Sequence, residues 1–156
     1  MKKILPTLLI FILFINCGFK PLYKLSDENS QSVNYSYEIT NQVSREIIEE
    51  VNAGIFSNEN QKYKAFLLID EDLTPLIINT NGTVAKYRIE IEISYEVIEL
   101  DTQNVITEGT TRGNTQYDVV DSEMINEDTK KSMTRIATKN ALQIMNSRIQ
   151  SSISKK

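Results

Sequence analysis

Tyr87-Arg88-Ile89-Glu90-Ile91-Glu92-Ile93-Ser94-Tyr95-Glu96-Val97 alternates apolar and polar side chains without a break. A period of two marks a half-buried strand, because successive side chains leave a strand on opposite faces. Tyr87, Ile89, Ile91, Ile93, Tyr95 and Val97 point one way; Arg88, Glu90, Glu92, Ser94 and Glu96 point the other. Full burial of each apolar group stabilises a fold by roughly 1.5–3 kcal/mol, so this strand is expected at the centre of a sheet. Its second face is expected to stay wet or to meet a polar partner.

Upstream, Asn79-Thr80-Asn81-Gly82 carries the strongest turn signal in the chain, since Asn-Gly populates the positive φ angles of tight hairpins. Before it, residues 63–69 hold the continuous apolar run Ala65-Phe66-Leu67-Leu68-Ile69 and read as a strand. Asp70, Glu71 and Asp72 read as a solvated turn. They lack the glycine and later glutamate of an EF-hand calcium loop. Pro75 removes a backbone donor, which leaves residues 73–78 as at best an irregular edge segment.

Downstream, Asp101-Thr102-Gln103-Asn104 turns the chain into residues 105–120, a threonine-rich antiparallel strand in which Gly109 or Gly113 is a candidate bulge. Beyond Ser122 a long helical pattern places Met133, Ile136, Ala137, Ala141, Ile144, Met145 and Ile149 on one apolar stripe. Asp121, Glu123, Glu127 and Asp128 crowd its start; Arg135, Lys139, Arg148, Lys155 and Lys156 follow. That order complements the helix dipole.

Earlier in the chain, residues 33–39 alternate again. From Asn41 a four-residue period in Val43, Ile47, Val51 and Ile55 predicts a helix, with Thr40 or Asn41 to cap its start and Gly54 its end. Residues 57–62 read as a loop. The sequence thus predicts an α+β fold in the order strand, helix, strand, strand, strand, helix, with a small four-stranded sheet and both helices packed on one face.

The N-terminus has a different character. Lys2 and Lys3 precede an apolar segment at residues 4–15, the layout of a secretory signal. That segment is shorter than the roughly 20 residues a helix needs to span a bilayer. The single cysteine, Cys17, stands directly after it, with no second thiol for a disulfide. Cleavage before Cys17 and acylation there is the favoured reading. Asn16 departs from the Gly, Ala or Ser usual at that place. An uncleaved anchor, or a cut elsewhere, keeps the export and loses the lipid. The expected organisation is residues 1–16 as lipoprotein signal, 17–31 as lipidated tether and 32–156 as the α+β domain.

Cleavage there leaves 140 residues, a length for one core, with a net charge of about −6. This opposes nucleic-acid binding, which calls for a basic face. With no histidine, no tryptophan and one cysteine, no catalytic residue, metal or cofactor is assigned. Glu90 and Glu92 lie about 6.5–7 Å apart on one strand face, a spacing known in glycosidases, yet nothing in the sequence suggests a cleft.

Cys17-Gly18-Phe19-Lys20-Pro21-Leu22-Tyr23, Asn81-Gly82 with Ala85 and Tyr87, and the C-terminal amphipathic helix together resemble the lipopolysaccharide-assembly lipoproteins of the LptE (RlpB) type, in their alphaproteobacterial form. The resemblance implies a lipoprotein seated in the LptD β-barrel that passes lipopolysaccharide to the outer leaflet. It implies an outer-membrane position on the periplasmic side, a lipid such as palmitate on Cys17, and lipopolysaccharide contact by Lys86, Arg88 and Arg112. Gly18 lacks the aspartate that retains some lipoproteins at the inner membrane. The competing readings are an accessory lipoprotein of an envelope lipid transporter, and ordinary surface charges paired with Glu90 or Glu92 in place of a ligand site.

Overall fold

The computed structural model describes residues 35–55 and 61–154. The signal, Cys17 and the tether lie outside these residues, as do residues 33 and 34 of the first expected strand and residues 57–60 of the expected loop. Among the described residues the elements follow the expected order: β1 Tyr35–Ile39, α1 Arg45–Gly54, β2 Tyr63–Ile78, β3 Val84–Glu99, β4 Val105–Asp118 and α2 Glu123–Ile153. The strands form one sheet in the order β1-β2-β3-β4. β1 runs parallel to β2, and the other neighbours are antiparallel hairpins.

β3 lies inside the sheet, and its alternation maps onto burial as predicted. Ile89, Ile91, Ile93, Tyr95 and Val97 are buried against Leu67 and Ile69 of β2, Ile47 and Val51 of α1, and Ala137, Ala141, Met145 and Ile149 of α2. Both helices therefore cover the face that carries the odd-numbered residues of β3. Gly82, at φ 84, closes the β2–β3 turn by donating to the Asn79 carbonyl at 2.9 Å.

Several local expectations are corrected. Asp70, Glu71 and Asp72 do not turn the chain: β2 runs unbroken through them to Ile78, in register with β3 as far as Pro75 opposite Tyr87. A continuous partner strand holds these charged residues extended. Pro75 fits because the even-numbered residues of β2, which alternate in register with Lys62 and Leu100, bond to β3, so the missing donor faces an open edge. The first helix starts at Arg45 and not Asn41. Thr40 and Asn41 instead extend the β1 ladder, with the Thr40 N–H on the Leu67 carbonyl at 2.8 Å and the Asn41 amide on the Ile69 carbonyl and N–H at 2.8 and 3.2 Å.

Gly54 is not a left-handed cap; α1 ends on extended Ile55. The glycine makes room for α2, since a Cβ there would meet Leu142 Cδ1 at 3.2 Å. Neither Gly109 nor Gly113 is a bulge. Both sit in register, opposite Tyr95 and Ile91, and the β3–β4 irregularity falls between Val97 and Ile98. Ile136 and Ile144 of the expected α2 stripe are exposed, while Thr134, Thr138 and Leu142 are buried in their place.

Polar contacts tie the layers together. Glu49 of α1 accepts from Arg135 of α2 at 2.9 Å and from Arg45 at 2.6 Å. These bonds, that of Arg135 first, hold its carboxyl below the usual carboxylate range. The buried Tyr35 hydroxyl donates to Asn146 Oδ1, and Asn146 Nδ2 donates to the Gly54 carbonyl at 3.0 Å.

Burial, with a smaller contribution from Tyr95, raises the Tyr35 pKa well above its ordinary 10.0. Above pH 10 the unfolded phenol gives up its proton while the folded one keeps it, so the unfolded state binds fewer protons. Stability is thus full below that pH and lost as pH rises through it. Thermal midpoints are expected to drop between about pH 9 and 11, and to drop less steeply in Tyr35→Phe. An identical slope in the variant would remove Tyr35 as a source of the effect.

Candidate functional site

The even-numbered residues of β3 face away from both helices and are half-buried or exposed. Across the strands this outer face reads Phe66–Glu96–Glu108, Leu68–Ser94–Thr110, Asp70–Glu92–Arg112, Asp72–Glu90–Asn114 and Thr74–Arg88–Gln116. Lys86 continues it opposite Asp118. All three basic residues singled out in the sequence therefore share one face, set by the alternation of β3 and by the turn that fixes the register of β4.

Their partners differ. Lys86 Nζ lies 3.1 Å from Asp118 Oδ1. Arg112 pairs with Glu92 and lies 3.8 Å from Glu90, and its hydrogen bond to Glu92 is the largest influence raising its pKa. Glu90 and Glu92 thus share one guanidinium. Lys86 is ion-paired with Asp118 and with neither glutamate, and Arg112 with both Glu92 and Glu90.

Arg88 is different. Its Nε is buried with no hydrogen-bond partner among the described residues. A buried donor left unpaired costs about 1–3 kcal/mol. Lys86 and Arg88 lie two residues apart on one face, about 6.5–7 Å. Arg112, in register with Glu92 four residues along β3, stands about 13 Å from Arg88 and does not join them.

The same end of the sheet exposes apolar side chains. Leu73, Leu76, Ile77 and Ile78 of β2 are accessible, Ile78 to 62%. Val120, after β4, and Met124 and Ile125, at the start of α2, are exposed as well, Met124 to 74%, but α2 lies on the opposite face of the sheet from Lys86 and Arg88. The Asn126 side chain fastens this segment by bonding the Val120 N–H and carbonyl at 2.9 and 2.8 Å. Of these apolar residues, Ile77 stands opposite Lys86 in the β2–β3 register, and a cation beside apolar surface is the combination an anionic amphiphile requires.

Sequence reasoning missed the other end of the outer face. Phe66 and Leu68 belong to a continuous apolar run in the sequence, yet they point away from the core, and Leu68 is 45% exposed. With Thr40, Ser94, Glu96 and Glu108 they line a shallow depression of about 300 Å³. The run at residues 65–69 carries no alternation of its own to separate the two faces; the register opposite Glu96 and Ser94 of β3 does so in the structure. Cys17 lies outside the described residues. No group of three or more metal-ligating side chains occurs among the described residues, and no helix there is long and apolar enough to cross a membrane.

No protein-family model matches this sequence, and no curated protein does. Solved structures do. A protein of Caulobacter crescentus CB15, provisionally called a lipoprotein, superposes with a TM-score of 0.61 at 12% identity, over 78% of this chain and 92% of that one. An uncharacterized lipoprotein B from Nitrosomonas europaea superposes at 0.58 and 8% identity, over 83% and 94%. A minor lipoprotein from Acinetobacter baumannii superposes at 0.55 and 17% identity, over 77% and 94%. At such identities the likeness establishes the fold alone: this chain has the α+β fold of these bacterial lipoproteins.

Proposed function

We propose that this chain is an outer-membrane lipoprotein, cut before Cys17 and acylated there. It seats its sheet in the lumen of an LptD-type β-barrel and assists lipopolysaccharide assembly at the cell surface. The observation that carries the reading is the outer face of the sheet, four strands wide, free of either helix and largely polar along β3 and β4, with apolar side chains at its two ends. The interior of a transmembrane barrel is itself polar and hydrated, so the polar strip along β3 and β4 can sit against it without losing its solvation. Three further features support the reading: a fold found among bacterial lipoproteins, the signal-like start ending at Cys17, and the apolar end beside Lys86 and Arg88.

Depletion of the protein in its native bacterium tests the reading. The amount of correctly assembled barrel and of lipopolysaccharide on the cell surface should fall together. If surface lipopolysaccharide and the barrel persist unchanged, the assembly role is wrong. An accessory role in another envelope lipid transporter then takes its place.

A further inference from the structure

We propose that the outer face of the sheet is a docking surface for a protein wall rich in lysine and arginine. On the reading above, which this inference rests on, that wall is the inside of the barrel. Three rungs of the face set like charges directly opposite one another: Asp70 against Glu92, Asp72 against Glu90, and Glu96 against Glu108. Such pairs oppose folding, because neighbouring strands bring the carboxylates within reach of one another.

The fold relieves only part of the repulsion. Arg112 sits with Glu92 and Glu90, whereas the carboxylates of Asp70, Glu96 and Glu108 have no ion pair or hydrogen bond among the described residues. Lys64 is held by Glu38 at 2.6 Å; Arg148, beside Glu108, donates to the Thr110 carbonyl at 2.9 Å and forms no ion pair with these acids, and neither does Arg88, among the described residues. The face is therefore left with unneutralised negative charge that the domain's own stability does not explain. Cations from a partner would neutralise it.

The layout matches a protein interface. Phe66 and Leu68 give an apolar patch at one end of the face, beside Glu96, Glu108 and the acidic rungs; interfaces join apolar and polar surface in this way. Charge selects the occupant. Anionic lipid headgroups and phosphates are repelled by unpaired carboxylates, whereas a wall of lysine and arginine is attracted and steered.

Envelope pull-down of the tagged full-length protein tests this, with Asp70→Lys/Asp72→Lys/Glu96→Lys compared with the unsubstituted chain. Each substitution turns a like-charge rung into an opposite-charge one, so the thermal midpoint should equal or exceed that of the original chain. Barrel recovery should nevertheless fall at least about ten-fold, and recovery with the original chain should be greater in about 50 mM salt than in about 500 mM. The milder Asp70→Asn/Asp72→Asn/Glu96→Gln removes charge without reversing it and should give an intermediate loss, which keeps the test decisive if the lysine variant folds poorly. Barrel recovery unaffected by either variant overturns the docking surface and leaves the plug reading in place. No barrel with the original chain overturns both.

Discussion

Gly113→Ala is expected to destabilise the domain by about 3 kcal/mol or more and to lower its thermal midpoint by about 10 °C or more. A Cβ at this position would lie 2.0 Å from the Ala137 carbonyl oxygen and 2.6 Å from the Ala141 nitrogen. Both are backbone atoms of α2, so no rotamer change can admit the methyl, and the helix must lift off β4. That would open the core over Ile91 and Ile93, which are completely buried in the adjacent strand. Gly109→Ala is the matched control. Its methyl would meet the Tyr95 hydroxyl at 3.0 Å, the far end of a side chain that can shift, so a loss nearer 1 kcal/mol is expected. Melts followed by circular dichroism decide the matter, and equal losses at the two glycines would contradict the close seat of α2.

Cys17→Ser is expected to have the largest effect on location. The proposed lipid needs the thiol for its attachment. Two or three acyl chains, at about 0.8 kcal/mol per buried CH₂, make release from a membrane negligible. The serine variant should keep residues 1–16, gain no acyl mass and stay with the membrane of export through its uncleaved signal, so that it leaves the outer-membrane fraction in which the original chain is expected. Mass spectrometry with membrane fractionation reads both effects. A variant that fractionates and weighs like the original chain, apart from the substitution, would remove the lipid from the account.

Much of this molecule is legible in its sequence because its central strand is so regular. The alternation of β3 assigns both faces of the sheet. It brings Lys86 and Arg88 together on the outer one before any coordinate is known. The Asn-Gly turn and the cluster Asp101-Thr102-Gln103-Asn104 then mark where the strand must end.

The losses occur where a residue's role depends on a neighbour remote in sequence. Asp70, Glu71 and Asp72 look like a turn because charges favour solvent, yet pairing with Glu92, Ile91 and Glu90 holds them in a strand. Asn41 looks like a helix cap, but the exposed Ile69 backbone at the end of β1 offers its amide a better-placed donor and acceptor. Gly113 shows nothing in sequence of the helix that crosses it. Ile136 and Ile144 belong to a stripe broader than the surface α2 buries. At the candidate site, the ion pairs of Arg112 follow from the β3–β4 register, whereas the assignment of Cys17 rests on sequence from beginning to end.

The most direct measurement is detergent purification of the tagged full-length protein from its native envelope, with the mass of its N-terminus determined and its equimolar companions identified. The account predicts a chain that begins at an acylated Cys17 and comes with a large outer-membrane barrel. An acylated chain purified without a barrel, or a chain that still carries residues 1–16, would contradict it.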